Sequence, residues 1–206
     1  LQEMDGELLD EVEGAPWSRA LIDPTRVTEA PPLRRVVVAI DPKAGGDDEA
    51  GIIVAGVSLT PEPDANGLLV PHAYILEDVS AHHRHPADWA RAALHAYRRW
   101  SAHKIVAEVN MGWEMVATVI RQIDPSANVD SVHATDGKRT RMEPIVGLFQ
   151  QERVHMVGVH PKLEDQMTSW TPAAGWSPDR IDALVWSLTD LMLPKRGRRG
   201  GRVSAA

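Results

Sequence analysis

Four acidic residues lie in or beside strongly apolar segments, where an ionised carboxylate needs a compensating partner. Asp41 follows the run VVVAI, Glu108 interrupts IVAEV, and Asp179 and Asp182 open the apolar segment that ends near Met192. Burying such charges alone costs several kcal/mol each. Because the chain has no cysteine, a metal would be held by Asp, Glu, His or backbone oxygen, and such oxygen ligands favour Mg²⁺, Mn²⁺ or Ca²⁺.

The chemistry of such a site depends on whether the four acids meet. If the strands that carry Asp41 and Glu108 are adjacent and parallel, both acids reach the same edge of the sheet. Asp179 and Asp182 are three residues apart and can share one helix face. Such a cluster could hold two ions about 3.5–4 Å apart and hydrolyse a phosphodiester in line. Taken singly, Asp41-Pro42 also fits an ordinary turn, and Asp179 an acid favoured at a helix N-terminus.

The elements that must position these acids are predicted from periodicity. Residues 35–40, 51–57 and 73–78 are β-branched or apolar runs, which predict three antiparallel strands. The pattern then alternates between helix and strand. Helices are predicted at 86–100, 115–123, 143–152 and 177–192, and strands at 104–109, 129–133 and 153–157. This order predicts an α/β fold with a mixed sheet, three antiparallel strands followed by parallel strands, flanked by helices.

Composition sets the domain organisation and limits the possible partners. We expect a linker at residues 1–33, one domain at 34–193 and a basic, disordered tail at 194–206. The net charge of −7 argues against general polyanion binding, so a nucleic acid site requires a local basic patch or bound metal. No apolar run approaches the roughly 20 residues that span a bilayer, which predicts a cytoplasmic protein without membrane contact.

Several segments together resemble a known family. They run in order from VVVAIDPKAGGDDEAGIIVAG through DWARAALHAYRRWSAHKIVAEVNMGWEMV and GKRTRMEPIVGLFQQERVHMVG to LEDQM and SPDRIDALVWSLTDLM. This series resembles the C-terminal nuclease domain of phage large terminase subunits. The resemblance implies a ribonuclease-H-like fold and Mg²⁺- or Mn²⁺-dependent cutting of concatemeric viral DNA during genome packaging.

The resemblance also assigns residues and partners. Asp41, Glu108 and Asp182 match the family's acids on the first strand, the fourth strand and the last helix, and Asp179 matches an additional acid one turn earlier. Lys138, Arg139 and Arg141 resemble a basic loop near the DNA backbone, although a solvated turn would look the same. Double-stranded DNA, a small terminase subunit, a portal protein and an ATPase domain in the same chain are the implied partners. The G-x-x-x-x-G-K-[ST] loop of that ATPase is missing, so we expect an excised or truncated nuclease domain.

Two other functions fit parts of the sequence. Residues 41–46 resemble a phosphate-binding hairpin, as in an actin-like or sugar-kinase-like ATPase half. A non-catalytic module that docks on the packaging motor would suit the negative charge. We interpret His82, His83 and His85 as a polar loop and most of the tryptophans as core residues. Asp47, Asp48 and Glu49 are interpreted as an acidic hairpin loop that does not bind the metal directly.

Overall fold

The computed structural model describes residues 12–42, 49–82, 85–109 and 115–194. The strands are β1 (Leu33–Asp41), β2 (Glu49–Ser58), β3 (Glu62–Pro63), β4 (Leu69–Val70), β5 (Ala73–Asp78), β6 (Ala81–His82), β7 (Lys104–Glu108), β8 (Val129–Val132) and β9 (Val154–Met156). The helices are α1 (Arg19–Ile22), α2 (Pro86–Arg99), α3 (Met115–Ile123), α4 (Lys138–Gln150), α5 (Pro161–Ser169) and α6 (Asp179–Met192), with a 3₁₀ turn at Asp23–Thr25. None of these helices is long and apolar enough to cross a membrane.

A mixed sheet forms the centre of the described part. Its strands lie in the order β8-β7-β1-β2-β5-β9, and β6 pairs with the start of β2. Strand β2 is antiparallel to both β1 and β5, whereas β7 is parallel to β1, β8 to β7 and β9 to β5. The predicted α/β class, with antiparallel strands followed by parallel strands, is therefore confirmed.

Side chains alternate between the two faces of the sheet and pack against helices on both. Val38 and Ile40 of β1 belong to a core with α2 and α3, whereas Val37 and Ala39 belong to a core with α4, α5 and α6. Because successive residues of a strand point to opposite faces, Asp41 follows Val37 and Ala39 onto the side of α6.

Several elements differ from the sequence prediction. Helix α4 begins at Lys138, before the predicted start at Glu143, and its first residue contacts Ser177 and Asp182, which are distant in the sequence. Pro144, which favours a helix start, instead lies inside the helix. Helix α5, the hairpin β3–β4 and strand β6 were not predicted, since their apolar patterns are too short to stand out.

The described part of the predicted linker packs against the domain. Trp17 and Ile22 are buried in the core on the α6 side. Arg19 and Arg26 form ion pairs of 2.5 and 2.8 Å with Glu164 of α5, whose side chain is fully buried. Residues 12–32 thus contribute to this folded unit, while the connection to an ATPase domain stays a prediction.

Candidate active site

Asp41 and Glu108 end two neighbouring parallel strands. Residues 37–40 of β1 pair in register with residues 104–107 of β7, so Asp41 and Glu108 lie one step beyond the last pair, Ile40 and Ala107. Val106 shares the α6-side core with Ala39, and strand alternation puts Glu108 on the same face as Asp41. Both carboxylates are at least nine-tenths buried.

The other two acids come from the first turn of α6. Asp179 and Asp182 are both buried. Between them, Arg180 points to the sheet, where it contacts Asp78 of β5 and Glu49 of β2 and donates to the Ser80 carbonyl at 3.2 Å. These contacts tie the start of α6 to the start of β2 and the end of β5. Arg180 therefore helps to set where Asp179 and Asp182 lie relative to β1 and β7.

Two cations of α4 face this group of acids. Lys138 contacts Oδ2 of Asp182. Three residues later, Arg141 places Nη2 3.6 Å from Oδ1 of Asp182 and Nη1 3.5 Å from Oε1 of Glu108. The predicted basic loop is therefore wrong as a loop, because these residues form the first turn of α4. Arg139 points away: its side chain is 80% exposed and pairs with Glu143.

Glu108 has a further partner that the sequence did not indicate. The indole Nε1 of Trp186 donates a hydrogen bond of 2.7 Å to Oε2 of Glu108. The same ring lies 4.8 Å from the guanidinium carbon of Arg141, a cation–π distance. Trp186 thus contacts Glu108 and the cation beside it. Its helical spacing suggested a core residue only.

The environment makes negative charge unfavourable at two of these acids. Burial raises the pKa of Asp41 well above its usual range, and the charges of Asp182 and Glu108 raise it further. Burial also raises the pKa of Asp182, although Lys138 opposes this effect. Carboxylates in such positions are stabilised in the ionised form by an added cation.

The acidic residues of this site fit a divalent metal ion in the type of their donor atoms and in their position. The donors are carboxylate oxygens, which suit Mg²⁺ or Mn²⁺, and they come from three elements that meet on one face. Within the described ranges, no three Asp, Glu or His side chains are already arranged around a common metal position. Two of these acids instead face cations of α4, since Lys138 stands against Asp182 and Arg141 against Asp182 and Glu108.

Other predicted features lie elsewhere or outside the described residues. Glu49 binds Arg180 at the start of β2. Residues 43–46 of the proposed phosphate-binding hairpin, the acids Asp47 and Asp48, and His83 lie outside the described residues. His82 ends β6 and His85 precedes α2. The tryptophans that are buried are Trp17, Trp89, Trp170 and Trp186, while Trp176 is 47% exposed.

Comparisons with known proteins agree on the fold. The chain is similar to the large terminase nuclease from thermophilic phage G20c, with 10% identity and a TM-score of 0.56 over 76% of this chain and 82% of that one. The P22 large terminase nuclease domain gives 14% identity and a TM-score of 0.55 over 78% and 83% of the two chains. Another structure of the G20c nuclease has bound zinc.

Longer terminases match over part of their length. The HK97 bacteriophage large terminase has 11% identity and a TM-score of 0.58, and the match covers 86% of this chain but 43% of that one. This chain thus spans less than half of that terminase. No curated protein sequence matches the chain significantly. The family described as the terminase RNaseH-like domain matches residues 38–191, well over half of the chain, and the chain therefore belongs to that family.

Proposed function

We propose that this chain is a metal-dependent DNA endonuclease domain that cuts concatemeric viral DNA during genome packaging. The observation that carries the proposal is the meeting of strand-end acids Asp41 and Glu108 with Asp182 of α6, where burial and mutual repulsion raise the pKa of Asp41. Buried acids that repel one another and come from distant parts of a chain are typical of a functional site. Membership of the terminase RNaseH-like domain family supports the same function.

In this proposal, Asp41, Glu108, Asp182 and Asp179 hold Mg²⁺ or Mn²⁺, with two ions expected. When bound, the ions supply positive charge that activates a water and stabilises the leaving 3′ oxygen of the phosphodiester. Trp186 orients Glu108 through its N–H, so that one carboxylate oxygen is held while the other remains beside Arg141. Arg180 fixes the first turn of α6 and thereby the direction of Asp182.

The basic residues of α4 would meet the DNA backbone in different ways. Arg139 is largely exposed and is available for a phosphate contact at the surface. Arg141 is mostly buried, and its Nε and Nη1 form no hydrogen bond with the described residues. Because a guanidinium can present two N–H groups to a phosphate, Arg141 suits a substrate oxygen that reaches the acids.

The partners and setting follow from the family alone and are part of the proposal. They are double-stranded DNA, an ATPase domain in the same chain, a small terminase subunit and a portal protein, in the cytoplasm of a bacterial host. A single nuclease domain would then cut weakly and with little sequence preference, since the other components would direct it to its sites.

Cleavage of supercoiled plasmid in Mn²⁺ or Mg²⁺ tests the nuclease directly. We expect nicking by the wild type that a chelator abolishes. The cleavage rate should fall at least about a hundredfold in each of Asp41→Ala, Glu108→Ala and Asp182→Ala. Even residues that only hydrogen-bond to metal ligands contribute about ten- to a hundredfold to activity or metal affinity. Asp88→Ala is the matched control, since Asp88 lies on α2 with its side chain 43% exposed.

The outcomes separate the proposed nuclease from its alternatives. Equal cutting by the wild type and the three variants would assign the activity to a contaminant. No cutting by folded wild-type protein with either metal would favour the non-catalytic assembly module. Nucleotide binding without cutting would favour the ATPase half.

A further inference from the structure

Lys138 places an ammonium group directly on a buried carboxylate of the proposed metal site. Its Nζ contacts Oδ2 of Asp182 and donates a hydrogen bond of 2.9 Å to Oγ of Ser177. The Asp182 side chain is 2% exposed, whereas that of Lys138 is 39% exposed. The lysine thus reaches from the surface to supply positive charge to a carboxylate that water scarcely reaches.

Both oxygens of Asp182 face cations, but the two cations are held very differently. Arg141, which faces Oδ1, is 11% exposed and lies over the ring of Trp186. Lys138, which faces Oδ2, carries its charge at the end of a flexible side chain that also donates to the hydroxyl of Ser177. Of the two cations, Lys138 is the one that can leave towards solvent without disturbing the packing around Trp186.

We propose that Lys138 is an internal counter-ion that competes with a divalent metal ion for Asp182. Without metal, its ammonium compensates the buried carboxylate. When metal occupies the site, Lys138 moves outward and its charge becomes available at the first turn of α4. This inference rests on the proposed function, because it takes Asp182 as a metal ligand.

The competition makes a prediction about affinity that does not depend on DNA cutting. Binding of Mn²⁺ is measured from the electron paramagnetic resonance signal of the free ion, with purified protein and no DNA. We expect Lys138→Met to bind Mn²⁺ about tenfold tighter or more, since a unit charge in contact with the ligand is removed. Lys162→Met is the matched control, because Lys162 is exposed on α5 and outside the acid group.

A substitution that changes no charge distinguishes displacement of Lys138 from Asp182 from a long-range effect of the lysine charge. Ser177→Ala removes the hydroxyl that holds Lys138 but changes no charge. If Lys138 must leave Asp182, this variant should bind Mn²⁺ about threefold tighter, because one hydrogen bond less opposes the departure. It also keeps the proposal testable if Lys138→Met fails to fold.

Thermal unfolding gives a second readout. In chelator, Lys138→Met should melt below wild type, because Asp182 loses the cation on Oδ2. Added Mn²⁺ should raise its melting temperature by more than that of wild type, in line with tighter binding to the folded state. An equal rise in both proteins would overturn the proposal.

Three affinity results would also overturn it. The first is that Lys138→Met binds Mn²⁺ no more tightly than wild type, and the second is that Lys162→Met gains as much Mn²⁺ affinity as Lys138→Met. The third is that Lys138→Met binds Mn²⁺ more tightly while Ser177→Ala binds it as wild type does, which would mean that the charge of Lys138 acts from a distance. The proposed nuclease function can fail independently of the counter-ion proposal. Tighter Mn²⁺ binding by Lys138→Met, with no plasmid cutting by any of the proteins, would support the counter-ion role of Lys138 and reject the nuclease function. Absence of Mn²⁺ binding by every protein would reject the counter-ion.

Discussion

Gly51 lies directly beneath the backbone carbonyl of Asp179. A β-carbon on Gly51 would come within 2.0 Å of that oxygen and 2.5 Å of its carbon. Gly51 is also the residue of β2 that pairs with Asp41 of β1. The missing side chain at this position therefore lets the first turn of α6 approach the strand pair that carries Asp41.

Gly51→Ala should push α6 away from the sheet. A backbone carbonyl cannot move aside as a side chain does, so we expect a loss of about 1–3 kcal/mol, the usual cost of overpacking, measured by urea unfolding. Mn²⁺ affinity should fall as well, since Asp179 and Asp182 move with the helix. Gly147→Ala is the control: its β-carbon would meet nothing within 4 Å, and alanine suits a helix interior. Unfolding curves of Gly51→Ala that match wild type would contradict the close approach.

Trp186→Phe keeps an aromatic ring near Arg141 but removes the N–H donor to Glu108. Because a hydrogen bond to a charged group contributes about 1.5–3 kcal/mol, we expect a loss of stability in this range in chelator. Mn²⁺ affinity should also fall, since Glu108 is less well oriented. Trp100→Phe removes a comparable donor to Glu77, at the partly exposed end of α2, and should leave Mn²⁺ affinity unchanged. Identical Mn²⁺ affinities in all three proteins would show that the indole does not position Glu108.

Arg180→Met should strongly destabilise the fold. The arginine is 3% exposed and contacts Glu49 and Asp78, whose side chains are 18% and 7% exposed. Removing one partner from a buried ionic cluster leaves charges uncompensated, so the expected loss is about 3–5 kcal/mol by urea unfolding. Arg91→Met breaks an exposed pair with Asp88 and should change stability by less than about 1 kcal/mol. Similar losses in both variants would argue against the anchoring role of Arg180.

A pair of histidines at the β5 side of the sheet predicts a dependence of stability on pH. His155 Nδ1 donates to the Thr25 carbonyl at 2.8 Å, so its Nε2 accepts from Nδ1 of His72, also at 2.8 Å. His72 Nε2 is buried and has no hydrogen-bond partner among the described residues. Burial lowers the pKa of His72 below 6.5, and the charges of His155 and Arg153 add to this effect, while Glu62 and Asp64 oppose it.

Since the folded state binds a proton at His72 less readily than the unfolded state, stability is retained above about pH 6.5 and falls as the pH drops below it. His72→Gln should remove part of this decline between pH 7.5 and 5, as followed by urea unfolding. The same substitution at the exposed His95 of α2 is the control and should retain the slope. If the stability of His72→Gln fell with pH as steeply as that of wild type, His72 would not be the source of the pH dependence.

The sequence by itself determined the class of fold and the elements that carry the acids. Strand and helix periodicity is a local property, so the strand before Asp41, the strand with Glu108 and the helix after Asp179 could be located from neighbouring residues alone. Because successive residues of a strand point to opposite faces of the sheet, the face of each strand acid follows once the face of one neighbouring core residue is known. The order of the motifs also indicated the terminase RNaseH-like domain family, which the family comparison confirms.

Only the tertiary structure decided what surrounds the acids. The start of α4 at Lys138, the direction of the Trp186 indole and the position of Arg180 depend on residues that are 40 or more positions away in the chain, such as Lys138 and Asp182. Periodicity cannot reveal such pairs, because their geometry depends on strand register, helix rotation and the absence of a side chain at Gly51. Local patterns therefore indicated where charge is buried, and packing determined which cations compensate it.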